Sequence, residues 1–157
     1  MDLYSRKMNK FYGVEILRWK YEEPYDFYNN ELTEEALREL LDGSYYAVVT
    51  AEDHLIGFYC TGKSAQVPAG DQFHAYHNGN YVDIGLGMRP ELTGKGLGFV
   101  FCSFIIHFIQ KGQEYIPLRL TVAKFNNRAI HLYEKLGFTV QNEFETDYST
   151  FIVMVKV

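Results

Sequence analysis

The sequence predicts a mixed α/β fold built around a central, mostly antiparallel sheet with helices on both faces. The first observation is size: 157 residues, 47% of them hydrophobic, suffice for one domain over residues 1–157 to bury a core without disulfides or metal ions. The second is that short β-rich runs occupy both halves of the chain. The third is that two of these runs are each followed by a turn and a helical pattern, the order of strand-turn-helix units.

β-rich runs bounded by turn residues predict the strands of this sheet. In chain order they are residues 14–19, 45–50, 55–61, 81–88, 118–123, 138–144 and 150–157. A short polar turn separates the second run from the third, so these two are expected to form a β-hairpin. The glycine-rich and polar stretch of residues 62–80 is expected to be a loop.

Three stretches with apolar residues at helical spacing predict the helices. Thr33 is suited to cap the first of them, and Gly43 is suited to end it. The second is a long apolar stretch that ends near residue 111. The third is predicted to begin at Asn126 or Asn127 and to end before a glycine.

Charge and cysteine content exclude several functional classes. The two cysteines lie far apart, so neither a disulfide framework nor a zinc knuckle is predicted, and a reducing cytoplasm suits the chain. A net charge of -5 is unsuited to a nucleic-acid binder and fits a cationic partner. The most apolar run, residues 97–109, is too short to cross a membrane. We therefore expect a cytoplasmic protein whose partners include neither nucleic acid nor membrane.

A glycine-rich turn follows the strand predicted over residues 81–88. Its sequence is Thr93-Gly94-Lys95-Gly96-Leu97-Gly98. Glycines let the backbone approach a ligand closely and adopt positive φ, and the start of the next helix carries partial positive charge. Such a turn is typical of phosphate binding, although three glycines also suit a simple tight turn.

Two nucleotide-binding motifs can be tested against this turn by counting. A Walker A loop requires a glycine five positions before the Gly94-Lys95 pair, and Arg89 stands there. A dinucleotide-binding motif requires a glycine at position 99 or 101, and both positions hold phenylalanine. The spacing therefore excludes both motifs.

At this point the chain resembles the GNAT N-acetyltransferase superfamily, in particular its ribosomal-protein alanine N-acetyltransferases. Residues 86–98 have the spacing of the family's cofactor signature, Gln/Arg-x-x-Gly-x-Gly/Ala, although Thr93 stands where the family usually has Gln or Arg. Residues 126–138, which read NNRAIHLYEKLGF, are similar to the family's last helix. Taken alone, the second stretch has the pattern of an amphipathic helix. Packing of its apolar face against the core is then a sufficient explanation for that pattern.

The resemblance implies that the protein uses acetyl-CoA as co-substrate and passes its acetyl group directly to a primary amine. It implies that backbone amides hold the pantetheine arm and the pyrophosphate. The implied cofactor-binding residues are Leu86, Gly87, Met88, Thr93, Gly94, Lys95, Gly96, Leu97, Gly98, Phe99 and Asn126. A threonine at position 93 can hydrogen-bond a phosphate or cap a helix but adds no charge, so affinity is expected to depend on the amides and Lys95.

The same resemblance assigns Tyr133 the position of the family's usual general acid, with a packed core tyrosine as the alternative. In the alanine N-acetyltransferases a glutamate acts as the general base, and this chain has Thr121 at that position. Asp83, Gly85 and Gly87 occupy every second position of the predicted strand. Their side-chain positions therefore lie on the same face of the sheet. We predict that Asp83 is the base, acting directly or through water, and the alternative is an aspartate paired with a neighbour.

Other reactive side chains are weaker candidates. His74 and His77 suit a proton relay, a substrate contact or half of a metal site, but no further ligand is evident, so we predict solvated histidines and no metal. Cys102, on an apolar helix, is predicted to be a core residue. The acidic and aromatic segment of residues 21–28 is predicted to recognise the amine, and a partly packed surface loop is the alternative.

The sequence therefore predicts an N-acetyltransferase that acts on a small-molecule or peptide amine, as a monomer or a homodimer. The alternative is a non-catalytic module that binds or senses acyl-CoA. The features that favour this alternative are the two departures from the family pattern, Thr93 and Thr121.

Overall fold

A computed structural model of the chain describes residues 2–111 and 116–157, and all of the predicted site residues lie within these ranges. The strands are β1 (Tyr4–Lys7), β2 (Tyr45–Val49), β3 (Leu55–Thr61), β4 (Val82–Met88), β5 (Leu118–Ala123), β6 (Thr139–Glu145) and β7 (Thr150–Lys156). The helices are α1 (Lys10–Leu17), α2 (Glu34–Leu40), α3 (Gly98–Gln110) and α4 (Asn127–Lys135). Short 3-10 helices lie at Tyr25–Tyr28, Gly62–Ala65, Pro68–Phe73 and Pro90–Leu92.

The seven strands form one sheet in the order β1-β2-β3-β4-β5-β7-β6. The pairs β1-β2, β2-β3, β5-β7 and β6-β7 are antiparallel. The β4-β5 pair is parallel and joins Val82 to Leu118 and Asp83 to Arg119. This confirms the predicted mixed α/β fold with a mostly antiparallel sheet.

Internal contacts divide the chain into two compact units. The first unit comprises Met1–Cys60 and Leu86–Cys102, and the second comprises Thr61–Gly85 and Ser103–Val157. The division falls within β4 and within α3. The single domain expected from the sequence therefore stays a prediction.

The first unit packs α1 and α2 around an apolar cluster. Its buried members are Met8, Tyr12, Ile16, Leu17, Trp19, Leu40, Ala47, Val49 and Leu55. Partly buried aromatic side chains at Tyr21, Tyr45 and Phe58 pack against this cluster. Burial of this apolar surface stabilises the part of the protein that carries the end of β4 and the glycine-rich turn.

The second unit has a core built on β5 and β7, with Phe144 near the end of β6 also buried. Most residues of β5 and β7 are buried, for example Leu118, Leu120, Val153 and Met154. Helix α4 places Tyr133 and Leu136 toward the interior and leaves its other residues more exposed, which confirms the predicted amphipathic pattern. Among the described residues, no helix is long and apolar enough to cross a membrane.

The strand predicted over residues 14–19 is wrong, because this stretch belongs to helix α1 and the turn that follows it. Asn9 caps the helix, and its side-chain oxygen accepts the amide of Tyr12 at 2.9 Å. The buried residues Tyr12, Gly13, Ile16 and Leu17 have helical spacing. The β-rich run of residues 14–19, which favoured a strand, is too short to show the helical period.

The other predicted elements are confirmed with small shifts at their ends. Thr33 caps α2 by accepting the amide of Ala36, although the helix ends at Leu40, before Gly43. Asn126 caps α4, and Gly137 follows that helix with a positive φ of 98°. The loop over residues 62–80 contains two of the 3-10 helices but no strand.

Candidate active site

The glycine-rich turn joins the end of β4 to the start of α3. Gly94 and Gly96 have positive φ values of 72° and 77°, a backbone conformation that side chains disfavour. A Cβ atom added at Gly96 would meet no atom within 4 Å. Glycine is therefore favoured at position 96 by the positive φ of the backbone and not by a lack of room for a side chain.

The backbone amides of this turn that follow Thr93 have no hydrogen-bond acceptor among the described residues. The Thr93 amide donates to the Pro90 carbonyl at 3.2 Å, and the next amide to form a backbone hydrogen bond is that of Phe101, which donates to the Leu97 carbonyl at 3.0 Å. Within the described ranges, the amides of residues 94 to 100 donate no hydrogen bond. Together with the start of a 13-residue helix, they form a cluster of donors suited to an anion.

Thr93 has a different local role from the one expected. Its hydroxyl donates to the Pro90 carbonyl at 2.7 Å and so closes the 3-10 turn Pro90–Leu92. It does not cap α3, which begins at Gly98. Its hydroxyl proton is already used, so toward a phosphate oxygen the turn offers mainly amides and the exposed Lys95.

The end of β4 is packed closely against β3. A Cβ added at Gly87 would lie 2.5 Å from the ring of Phe58. A Cβ added at Gly57 would lie 2.4 Å from the Gly87 carbonyl and 2.5 Å from the ring of Phe101. Leu86, Gly87 and Met88 lie beyond the last β4 residue that pairs with β5. At both positions neighbouring atoms leave no room for a side chain, so glycine is required. Both lie in or beside the part of β4 that is predicted to bind pantetheine.

Arg89 fixes the residue that follows β4, a role that the sequence did not indicate. Its amide donates to the Ile56 carbonyl at 2.8 Å, and its Nε donates to the Leu55 carbonyl at 2.7 Å. Its guanidinium also pairs with Glu15 of α1 and lies over the ring of Trp19, 5.6 Å from the centroid. The sequence offered one signal for this role. Arg89 precedes Pro90, and a residue before a proline is biased toward extended backbone.

A surface groove of about 740 Å³ lies beside Arg89 in the first unit. Its lining residues are Lys10, Phe11, Val14, Glu15, Arg18, Trp19 and Arg89. The indole N–H of Trp19 is buried and has no hydrogen-bond partner among the described residues. Nothing in the sequence pattern had marked this groove.

Asp83 lies in a buried ion pair with Arg119. Arg119 donates from Nε to Oδ1 at 2.6 Å and from Nη2 to Oδ2 at 2.8 Å, while Gln66 donates to Oδ2 at 2.9 Å. Asp83 is 5% exposed and Arg119 is 2% exposed. These contacts favour the alternative that the sequence left open, a paired aspartate, and the basic role of Asp83 stays a prediction that they do not support.

Arg119 is enclosed on its remaining sides. Its Nη1 donates to the Asn78 carbonyl at 2.9 Å. The rings of Tyr76 and Tyr81 each lie 5.2 Å from its Cζ atom. The hydrogen bonds to Asp83 raise the pKa of Arg119 above its ordinary value, so the cation is permanent. We call Asp83, Arg119, Gln66, Tyr76 and Tyr81 the arginine cluster.

Thr121, which replaces the glutamate of the alanine N-acetyltransferases, is bonded to the arginine cluster. Its hydroxyl and that of Tyr76 are 2.6 Å apart, and Tyr76 also accepts the Val67 amide at 3.0 Å. Burial raises the pKa of Tyr76, so its phenol stays neutral. The position of the missing glutamate is therefore occupied by a neutral hydrogen-bonded pair.

Tyr133 lies on α4 in the second unit, and Asn126 is the N-cap of that helix. Tyr133 is buried, and its ring meets that of Phe138 edge to face with centroids 6.0 Å apart. The side-chain oxygen of Asn126 accepts the Ala129 amide at 3.1 Å. The helix thus holds both side chains in fixed positions, and their roles toward the cofactor stay predictions.

The remaining candidates are two exposed histidines and a buried cysteine. His74 and His77 are exposed, with Nδ1 and Nε2 2.9 Å apart, and no group of three metal-ligating side chains occurs among the described residues. Cys102 is buried, which raises the pKa of its thiol to about 12 and makes a nucleophilic thiolate unfavourable.

The acidic and aromatic segment of residues 21–28 contains the 3-10 helix Tyr25–Tyr28 and is otherwise irregular. The carboxylates of Glu22, Glu23 and Asp26 are exposed. The hydroxyl of Tyr21 donates to the Met88 carbonyl at 2.7 Å and so connects the segment to the end of β4.

Two acetyltransferases are similar to this chain in sequence. Spermidine N(1)-acetyltransferase of Escherichia coli (strain K12) is 28% identical over 137 residues, which cover 87% of this chain and 67% of that protein. Mycothiol acetyltransferase of Propionibacterium freudenreichii is 39% identical over 56 residues, or 35% of this chain and 17% of that protein. These named transferases favour an enzyme over a module that only binds acyl-CoA.

Solved structures of low sequence identity have the same fold. An aminoglycoside acetyltransferase in complex with coenzyme A gives a TM-score of 0.74 at 18% identity, covering 99% of this chain and 95% of that one. A spermidine N-acetyltransferase chimera from Vibrio cholerae gives 0.69 at 19% identity, covering 100% and 96%. The residue pattern of the Acetyltransferase (GNAT) family matches residues 12–138. The chain therefore belongs to the GNAT acetyltransferase family and is an N-acetyltransferase that uses acetyl-CoA to acetylate an amine.

Proposed function

We propose that the amides of residues 94 to 100 bind the pyrophosphate of acetyl-CoA, with Leu86, Gly87 and Met88 along the pantetheine arm. The observation that carries this proposal is the run of amide donors without acceptors at the start of α3. An anion supplies acceptors for these donors, and the helix adds favourable partial charge. Lys95 contributes a further positive charge at an exposed position.

In the proposed reaction the neutral amine attacks the thioester carbonyl carbon and forms a tetrahedral oxyanion. The carbon-sulfur bond then breaks, and the leaving thiolate of CoA takes a proton from the Tyr133 hydroxyl. The new ammonium group loses its proton to solvent, and Tyr133 is reprotonated from solvent. Asp83 has both oxygens engaged, so we assign it the structural role of holding Arg119.

We propose a small amine with more than one cationic group as the acceptor, of the polyamine type. The relative from Escherichia coli (strain K12) is named for acetylation of spermidine. The exposed carboxylates of Glu22, Glu23 and Asp26 suit a cationic chain, and aromatic faces such as that of Phe27 add cation-π attraction. A cytoplasmic location and a homodimer remain predictions, and sedimentation of the purified protein tests the second.

A thiol-release assay with acetyl-CoA tests this function. The panel should contain putrescine, spermidine, spermine, an aminoglycoside and a peptide with N-terminal alanine. We expect turnover to be fastest with spermidine or spermine. Equal or faster turnover of the alanine peptide would contradict the proposed acceptor class without affecting the assigned reaction.

The Tyr133→Phe variant tests the proposed proton donor. We expect kcat to fall about 100-fold or more, because general acid catalysis typically contributes that much, while the KM for acetyl-CoA stays unchanged. Tyr148→Phe is the matched control, since Tyr148 is 88% exposed and has no assigned role. Unchanged kcat in the Tyr133→Phe variant would remove Tyr133 from the mechanism.

A further inference from the structure

Tyr21 connects two parts of the first unit that are far apart in sequence. Its hydroxyl donates to the carbonyl of Met88, the last residue of β4, at 2.7 Å. Its own amide donates to the side chain of Asn29 at 2.7 Å, which closes the segment of residues 21–28 on itself. One side chain thus joins the segment proposed to bind the amine to the strand proposed to bind the cofactor.

The geometry of Tyr21 is that of a fixed donor. Its ring packs against the apolar cluster of the first unit. Burial, with a smaller contribution from the charge of Glu91, raises the pKa of Tyr21 to about 12. The phenol therefore keeps its proton and its hydrogen bond to Met88 through neutral and moderately alkaline pH.

The atom that Tyr21 holds lies where a small displacement matters. Met88 is followed by Arg89, whose backbone and side chain are bonded to β3 and to Glu15. The next residues form the turn Pro90–Leu92, closed by Thr93, and lead directly to the unpartnered amides. Amides bind an anion well only when their directions are fixed, because reorganisation on binding costs free energy.

We propose that Tyr21 is a positioning residue whose bond to the Met88 carbonyl makes cofactor affinity depend on the order of the amine-binding segment. The inference rests on the proposed cofactor site. When residues 21–29 are ordered, Tyr21 fixes the end of β4 and the turn is ready for the pyrophosphate. Loosening the segment releases Met88 and weakens cofactor binding, although no residue of the segment is assigned to the cofactor.

Calorimetric titration with CoA itself, which cannot react, measures this dependence. We expect the Kd for CoA of the Tyr21→Phe variant to rise about 2- to 10-fold, the range set by loss of one buried hydrogen bond. Asn29→Ala, which acts on Tyr21 through its amide, should raise the Kd in the same direction. The double variant should resemble Tyr21→Phe alone, since both changes break one chain of contacts.

Tyr12→Phe is the matched control, because the Tyr12 hydroxyl also donates to a distant partner in the first unit, Asp53. It should leave the Kd for CoA unchanged even where it lowers the melting temperature. An unchanged Kd in Tyr21→Phe, or full additivity of Tyr21→Phe and Asn29→Ala, would overturn the inference. Absence of CoA binding by the wild-type protein would instead contradict the proposed cofactor site.

Discussion

The turn at residues 94 to 100 and the arginine cluster are both rich in hydrogen-bonding groups, yet they differ in how those groups are used. In the turn, amide donors have no acceptor within the described chain. In the cluster, both oxygens of Asp83 and three nitrogens of Arg119 have partners at 2.6 to 2.9 Å. The turn is exposed and the ion pair is buried.

This difference separates the proposed ligand site from a structural site. Buried polar groups are nearly always satisfied within the protein, and most unsatisfied donors lie where solvent or a ligand reaches them. The amide donors of the turn are therefore free to bind a ligand, whereas the ion-paired groups of Asp83 and Arg119 already have partners. Three substitutions test this contrast, in order of expected effect.

The largest effect is expected for Asp83→Asn. Removal of the carboxylate charge leaves Arg119 buried and uncompensated, which costs about 3 to 5 kcal/mol of unfolding free energy. Urea unfolding monitored by circular dichroism measures this loss. Asp147→Asn, at an exposed carboxylate, is the control and should change the unfolding free energy by about 0.5 kcal/mol or less. Normal stability with a large loss of kcat would show that Asp83 is the base after all.

A smaller effect is expected for Gly96→Ala. The new methyl group meets no atom, but the positive φ of 77° costs a non-glycine residue about 1 to 2 kcal/mol. If the turn relaxes, its amides change direction, and we expect the Kd for CoA to rise about 10-fold. Gly79→Ala, also in open space but without positive φ, should leave CoA binding unchanged. Equal affinity of both variants would contradict an amide-based site.

The smallest effect is expected for Lys95→Ala. Lys95 is exposed, so its charge is screened, and its loss should raise the Kd for CoA only about 2- to 5-fold. The salt dependence of binding should become weaker, because one positive charge no longer contributes. Lys63→Ala, at another exposed lysine, is the control. A loss greater than 100-fold would mean that Lys95 and not the amides dominates pyrophosphate binding.

Local sequence signals predicted much of the fold and the turn. The cap residues Thr33 and Asn126 are at the helix starts that the sequence indicated. The hairpin of β2 and β3 and the whole of β5 also lie where expected. Each of these signals depends on neighbouring residues only, which is why a sequence pattern is sufficient to recognise it.

Partners that are distant in sequence could not be predicted. Arg119 meets Asp83 because the parallel register of β4 and β5 places them side by side, and no local pattern specifies that register. The bond from Tyr21 to Met88 likewise depends on how α1 packs against the sheet of the first unit. Helix α1 was missed because its apolar positions over eight residues fit both periodicities.

Trp19 is the single tryptophan of the chain, and its ring lies beneath the guanidinium of Arg89. The protein therefore contains a single tryptophan fluorophore, which lies against the residue that leads from β4 to the turn. Its emission should respond to any displacement of Arg89, so a cofactor titration can be followed by intrinsic fluorescence without a label. The same optical signal is available in every variant described above, since none of them alters Trp19.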